Sequence, residues 1–175
     1  MLKKILVVLA VLVAGVLAVA ATRPDSFEVR RSAVIQAPAD KLFPMIDDLH
    51  AWAAWSPYEK LDPQMKKTFE GPPAGKDAAY GWQGNSKAGA GRIRIVESVP
   101  SSRIGLELTM LEPWEARNDV SFTFQPKGAG TEVTWAMRGK ANLMVRVMGL
   151  FVDMDQMVGK DFAEGLANLK ALAEK

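Results

Sequence analysis

The sequence predicts an α+β domain: a curved antiparallel sheet of about seven strands with two short helices and a long C-terminal helix, preceded by one hydrophobic membrane segment. Three observations predict it. Residues Leu143, Val147, Leu150, Met154, Val158, Phe162, Leu166 and Leu169 recur at helical spacing from Asn142 to Glu174. Between Lys66 and Gly139 short alternating segments are separated by glycine and proline turns. An uninterrupted apolar run, Ile5 to Ala21, opens the chain behind Lys3 and Lys4.

The chain divides accordingly into a basic N-terminus (1–4), an apolar segment (5–21), a linker (22–26) and one domain (27–175). As a helix the apolar run is about 25 Å long, near the lower limit for crossing a hydrocarbon core. Two readings of it are open. One is a signal segment cleaved near Ala20, where Ala18-Val19-Ala20 offers small residues. The other, favoured by the length of the run, is a single-pass anchor with the lysines inside and the domain on the extracytoplasmic, periplasmic side. No cysteine follows the run, which excludes a lipid-modified anchor.

Within the domain, Phe27 to Ala37 alternates as a strand. Ala37-Pro38-Ala39-Asp40 turns into a helix carrying Leu42, Phe43, Ile46 and Leu49, and Trp52 and Trp55 lie on a second helical piece that stops at Ser56-Pro57. Strands are expected at 66–70, 78–83, 91–99, 103–111, 116–125 and 131–139. Period-two parity puts Ile104, Leu106, Leu108 and Met110 on one face, with Val120, Phe122, Phe124, Val133, Trp135 and Met137. Their alternates include Glu107, Thr109, Asp119, Ser121, Thr123, Glu132 and Arg138, so one face is wet and the other buried. The terminal helix is the cover for the buried face. Met144, Met148, Met154 and Met157 crowd its first half, and flexible thioethers suit a wall that re-packs around different apolar ligands as well as a gap-filled core.

This order of elements is that of the helix-grip fold. The residues also resemble the polyketide cyclase/dehydrase-like branch of the START/Bet v 1 superfamily, the SRPBCC proteins. The resemblance rests on Asp48-Leu49-His50-Ala51-Trp52, Trp55-Ser56-Pro57, Gly89 and Gly91 ahead of Ile93-Arg94-Ile95, Pro113-Trp114-Glu115-Ala116, Gly130-Thr131-Glu132-Val133-Thr134-Trp135, and Gly159-Lys160-Asp161-Phe162 with Gly165-Leu166. It implies a deep apolar cavity between sheet and final helix for lipids, sterols, polyketides or similar molecules. Such a fold serves carriers and enzymes alike.

Composition narrows the chemistry. Among 175 residues, 22 Lys and Arg face 20 Asp and Glu, so no basic footprint for nucleic acid is expected. The absence of cysteine removes disulfides, thiolate nucleophiles and sulfur-bound zinc, and His50 is the only histidine. No cofactor motif is present: the Gly84–Gly91 stretch lacks the strand-to-helix context of a phosphate loop. Asp153 and Asp155 on one helix do not make a metal site without further ligands. The expected partners are a small hydrophobic ligand and, through residues 5–21, a membrane; no protein partner is specified. The expected ligand-binding wall is Trp82, Leu106, Leu108, Met110, Phe122, Phe124, Trp135, Met137, Met154, Met157 and Val158, with Asn118 as the polar contact that confers specificity. Glu97 shares parity with Ile93 and Ile95 and is the one candidate acid, should a cyclase- or dehydratase-type lyase be built here, unless a bulge turns it outward. Non-catalytic ligand binding is the leading expectation; the third possibility is an interaction domain whose core is filled.

Overall fold

The computed structural model describes residues 2–175. Helix α1 (Leu2–Ala21) is followed by strand β1 (Ser26–Ile35), helix α2 (Ala39–Asp47) and two 3-10 turns (Leu49–Ala54 and Pro57–Lys60). Strands β2 (Lys66–Glu70), β3 (Ala79–Gln83), β4 (Ala90–Val99), β5 (Arg103–Glu112), β6 (Ala116–Lys127) and β7 (Gly130–Lys140) come next, then helices α3 (Leu143–Met148) and α4 (Met154–Ala173). All seven strands form one antiparallel sheet in the order β1-β7-β6-β5-β4-β3-β2. The first strand thus pairs with the last, and α4 lies across the β1 and β7 end of the sheet.

Alternation works as the sequence implies. Ile104, Leu106, Val120, Phe122, Val133 and Trp135 are buried beneath the helices, and of the alternating residues on the opposite face Thr134 alone is buried among the polar ones described, its hydroxyl hydrogen-bonded to that of Ser32. Register places Phe122 opposite both Ile104 and Trp135, which brings the large residues of β5, β6 and β7 into one layer. Trp55 meets the rings of Phe122 and Trp135 edge-on, at centroid distances of 6.0 and 5.7 Å. The indole N–H groups of Trp52 and Trp55 donate to the carbonyls of Ile46 (2.8 Å) and Met45 (2.9 Å), so these tryptophans staple the 3-10 turns to α2 and to the sheet.

The expected continuous helix from Asn142 to Glu174 is in fact two. Asn142 and Asp153 each cap a separate helix, their side chains accepting from Val145 N–H (2.9 Å) and Gln156 N–H (3.1 Å). The apolar spacing continues across the break because Leu143 and Val147 belong to α3, which packs against α1 and not over the sheet. A further 3-10 turn follows Ser56-Pro57, where the sequence reading ended its second helical piece. Proline suits a first helical position, since the N–H it lacks has no partner there anyway.

Two features fix α4 to the sheet. Arg31 has the inward parity of β1, and its guanidinium donates to both carboxylate oxygens of Asp155 (2.9 Å each) and to the Asp155 carbonyl (2.8 Å). It lies directly against Gly159, where any Cβ would collide with it. Nearly two turns further on, a Cβ at Gly165 would stand 2.7 Å from the Trp135 ring. Glycine at these positions lets the helix descend onto the sheet, and Trp135 stacks on Phe162 at 4.1 Å.

Candidate functional site

A cavity of about 450 Å³ remains between the sheet, α4 and the 3-10 turns. Its position follows from how the concave face is filled. At one end Phe43 of α2 meets Phe124 at 5.7 Å, and Trp52 and Trp55 flank Phe122. At the other end, toward β3 and the distal half of β5, α4 and the second 3-10 turn border the sheet without filling the space between. The boundary falls between neighbouring inward positions of β5: Leu106 is fully buried in the core, whereas Leu108 faces the void.

Of the expected wall, Trp82, Leu108, Met110, Trp135, Met137, Met157 and Val158 line this cavity, and so does Asn118. Leu106, Phe122 and Phe124 do not, and the expectation is corrected for each. Their parity is inward as read, but they lie at the end of the sheet that α2 and the tryptophans fill. Met154 is corrected too: it opens α4, half-buried and outside the lining, one turn before the residues that reach the void.

Glu97 is the clearest correction. A bulge in β4 falls between Ile95 and Glu97, with Ile95 opposite Leu106 and Glu97 opposite Gly105. The extra residue, Val96, reverses the parity, so Glu97 faces solvent and accepts from Arg103 Nε at 2.8 Å. His50 stays outside the cavity as well. Its ring stacks on Phe69 (3.9 Å between centroids), and its Nδ1 lies 2.9 Å from the Asp48 carboxylate. Asp153 is a helix cap and Asp155 the partner of Arg31.

Polar groups absent from the sequence reading stand on the cavity wall. Tyr58, Glu59, Tyr80 and Asp161 all line it. Tyr80 Oη donates to Glu59 Oε1 (3.0 Å), and Glu59 also pairs with Lys67 of β2; its side chain is only 9% exposed. Burial pushes the Tyr80 phenol up to about 12. Burial, reinforced by the negative charge of Asp161, holds the Tyr58 phenol far above the usual tyrosine range. The Asp161 carboxyl is itself held above the ordinary carboxylate range, chiefly by desolvation and then by neighbouring Glu164, with Lys160 opposing. The Trp135 indole N–H is buried without an acceptor among the described residues.

Asp161 was legible in principle: it follows Met157 by four residues and Val158 by three, which puts a charge on the apolar stripe of α4. Tyr58 and Glu59 were not, because they reach the wall only through the unforeseen 3-10 turn. The assembled site is an apolar chamber edged by two carboxyls, two phenols and an amide. It can take an amphiphile whose bulk is hydrocarbon and whose polar end makes a few hydrogen bonds.

Known structures share this architecture. A protein from Chromobacterium violaceum superposes with a TM-score of 0.60 at 16% identity, over 87% of this chain and 99% of its own. The di-domain ARO/CYC BexL of the BE-7585A biosynthetic pathway gives 0.65 at 15% identity, over 90% of this chain and 53% of that one. Ara h 8.0201 gives 0.57 at 10% identity, over 85% and 97%. At these identities the likeness concerns the fold alone. None of the curated proteins matches in sequence. The sequence profile of the family described as polyketide cyclase / dehydrase and lipid transport, however, matches residues 26–174. That span takes in the whole sheet, both 3-10 turns and α4, so every cavity wall described above is part of the match, and the chain belongs to the polyketide cyclase/dehydrase and lipid transport family.

Proposed function

We propose that this domain binds a small, mainly hydrophobic ligand without transforming it, and that residues 5–21 hold it at a membrane with the domain on the extracytoplasmic side. The observation that carries the binding reading is the void itself. At about 450 Å³ it falls within the range of small-molecule sites, and its wall is dominated by Trp, Met, Leu, Val and Ile side chains. A filled core, the expectation for a pure interaction domain, would leave no such space. Affinity comes from apolar burial, on the order of 25 cal/mol per Å² before association costs. Orientation comes from Asn118, Asp161 and Tyr58. The anchor reading draws support from α1, a 20-residue helix whose most apolar 18-residue window has a mean hydropathy of 2.8 and is almost wholly uncovered.

The test is native mass spectrometry of the full-length chain released from detergent, with solvent extraction of what co-purifies. A stoichiometric apolar adduct is the expected result. A chain that is empty, and that also ignores a panel of lipids and fluorescent apolar probes, overturns the reading.

A second reading, acid–base chemistry on a bound polyketide-like molecule, draws on Asp161 and Tyr58, a carboxyl and a phenol on one apolar wall. Asp161→Asn separates the two: a binder retains uptake of its ligand unchanged in structure, whereas an enzyme accumulates bound substrate in place of product.

A further inference from the structure

The two most exposed large apolar side chains of the folded domain, Phe151 and Met144, lie in one stretch with four other exposed apolar residues. Leu143, Met144, Met148, Phe151, Val152 and Met157 are all exposed, Phe151 at 75% and Met144 at 67%, with α1 already packed beside α3. Other large exposed apolar residues of the domain are spread from Leu61 to Trp114. A run of this kind costs solvation unless something apolar receives it.

The position of α1 indicates what does. Its only buried residue is Ala20, and Val16, one turn earlier on the same face, is half-buried. Those positions lie in its last turns, so α3 sits beside the final ~6 Å of the apolar helix and not beyond its end. Arg146 of α3 seals the junction, donating from Nη1 to the carbonyls of Ala21 and Arg23 (3.4 Å each), where a cation also complements the helix C-terminus. The Ala141 N–H donates to the Asp25 carbonyl at 2.7 Å, which holds the link short. If α1 crosses a bilayer, α3 is therefore placed at the boundary between acyl chains and headgroups, the depth at which amphipathic segments rest.

We propose that residues 143–157 dock into the surface of the bilayer that holds α1, so that the α4 wall of the cavity faces lipid. Met157 belongs to both surfaces: it is half-exposed and it lines the cavity. The break between α3 and α4 thus sets an apolar chamber against an apolar solvent, with a single layer of side chains between them. This inference rests on the anchor reading above.

The chain has no cysteine, so single-cysteine variants of the full-length protein can carry an environment-sensitive fluorophore. Val11→Cys, Met144→Cys, Phe151→Cys and Lys127→Cys are reconstituted in phosphatidylcholine vesicles containing spin-labelled lipids. Expected is several-fold stronger quenching at positions 144 and 151 than at 127 by labels near the headgroup, with position 11 quenched by labels deep in the acyl chains. Quenching at 11 with none above the level of 127 at 144 and 151 overturns the docking surface and leaves the anchor standing. Loss of quenching at 11 overturns the anchor and the docking with it. Probes at 144 and 151 that lipid does not quench at a high protein-to-lipid ratio, but that become accessible to a water-soluble quencher when the protein is diluted in lipid, would mean that a second copy covers the patch and would also overturn the proposal.

Discussion

Asp161 illustrates what a single residue contributes to the site. Its carboxyl is held above the ordinary range by desolvation and by Glu164. Between its unfolded and folded pKa the native state holds more proton, so stability falls as pH rises through that window, and the cost is fully present above it. Asp161→Asn removes the cost. The variant is expected to melt higher than the parent at neutral pH and to converge with it below the ordinary carboxylate pKa; equal melting temperatures at neutral pH would show that Asp161 is solvated in the native state. This residue and Arg31 also show the limits of parity. Both interrupt apolar faces, and a sequence records the interruption but not its partner. Arg31 meets Asp155 across 124 positions, while Asp161 meets no cation strong enough to offset its burial. Glu97 failed for the opposite reason: the parity was clean, and one inserted residue inverted it.

Strands were the most legible elements, because alternation is a local signal and Gly and Pro mark the turns. Their observed limits depart from the sequence reading by at most two residues at any end. The final helix was the least legible, since its apolar spacing runs unbroken through the Gly149–Asp153 gap. What distinguishes two helices from one is the pair of capping residues, Asn142 and Asp153, and their side-chain bonds. The cap on α4 also holds the first turn of the cavity wall, where Met157 and Val158 stand. Asp153→Ala is therefore expected to lower stability by about 1 kcal/mol in urea denaturation and to weaken ligand uptake through a frayed α4 terminus. Asn142→Ala should lower stability without altering uptake, because α3 contributes nothing to the lining. Equal effects of the two variants on uptake would place the wall elsewhere. The cavity wall itself was half legible for a related reason: parity tells which side chains point inward, whereas α2 and the tryptophans decide which of those meet one another and which meet a void.

At the scale of the whole molecule, the sheet and its helices must remain folded around an unfilled volume, and a close-packed interior does so at a cost in dispersion and apolar burial. A ligand that occupies the void in the native state alone returns that energy through linkage, about 2.7 kcal/mol at one hundred times its Kd. For a chain of this size that is a rise in Tm of roughly 5–11 °C. Stripping the co-purified molecule is thus expected to lower Tm, and adding it back to restore it. Leu108→Trp tests whether the void described here is the one responsible. Leu108 faces the cavity, so the larger ring can occupy empty space and need not displace packed neighbours. The variant should unfold cooperatively, with a Tm at or above that of the stripped parent, and should show no shift on adding ligand. A ligand-dependent shift that survives in a cooperatively folded Leu108→Trp chain would mean that the ligand binds outside this cavity, whatever its affinity.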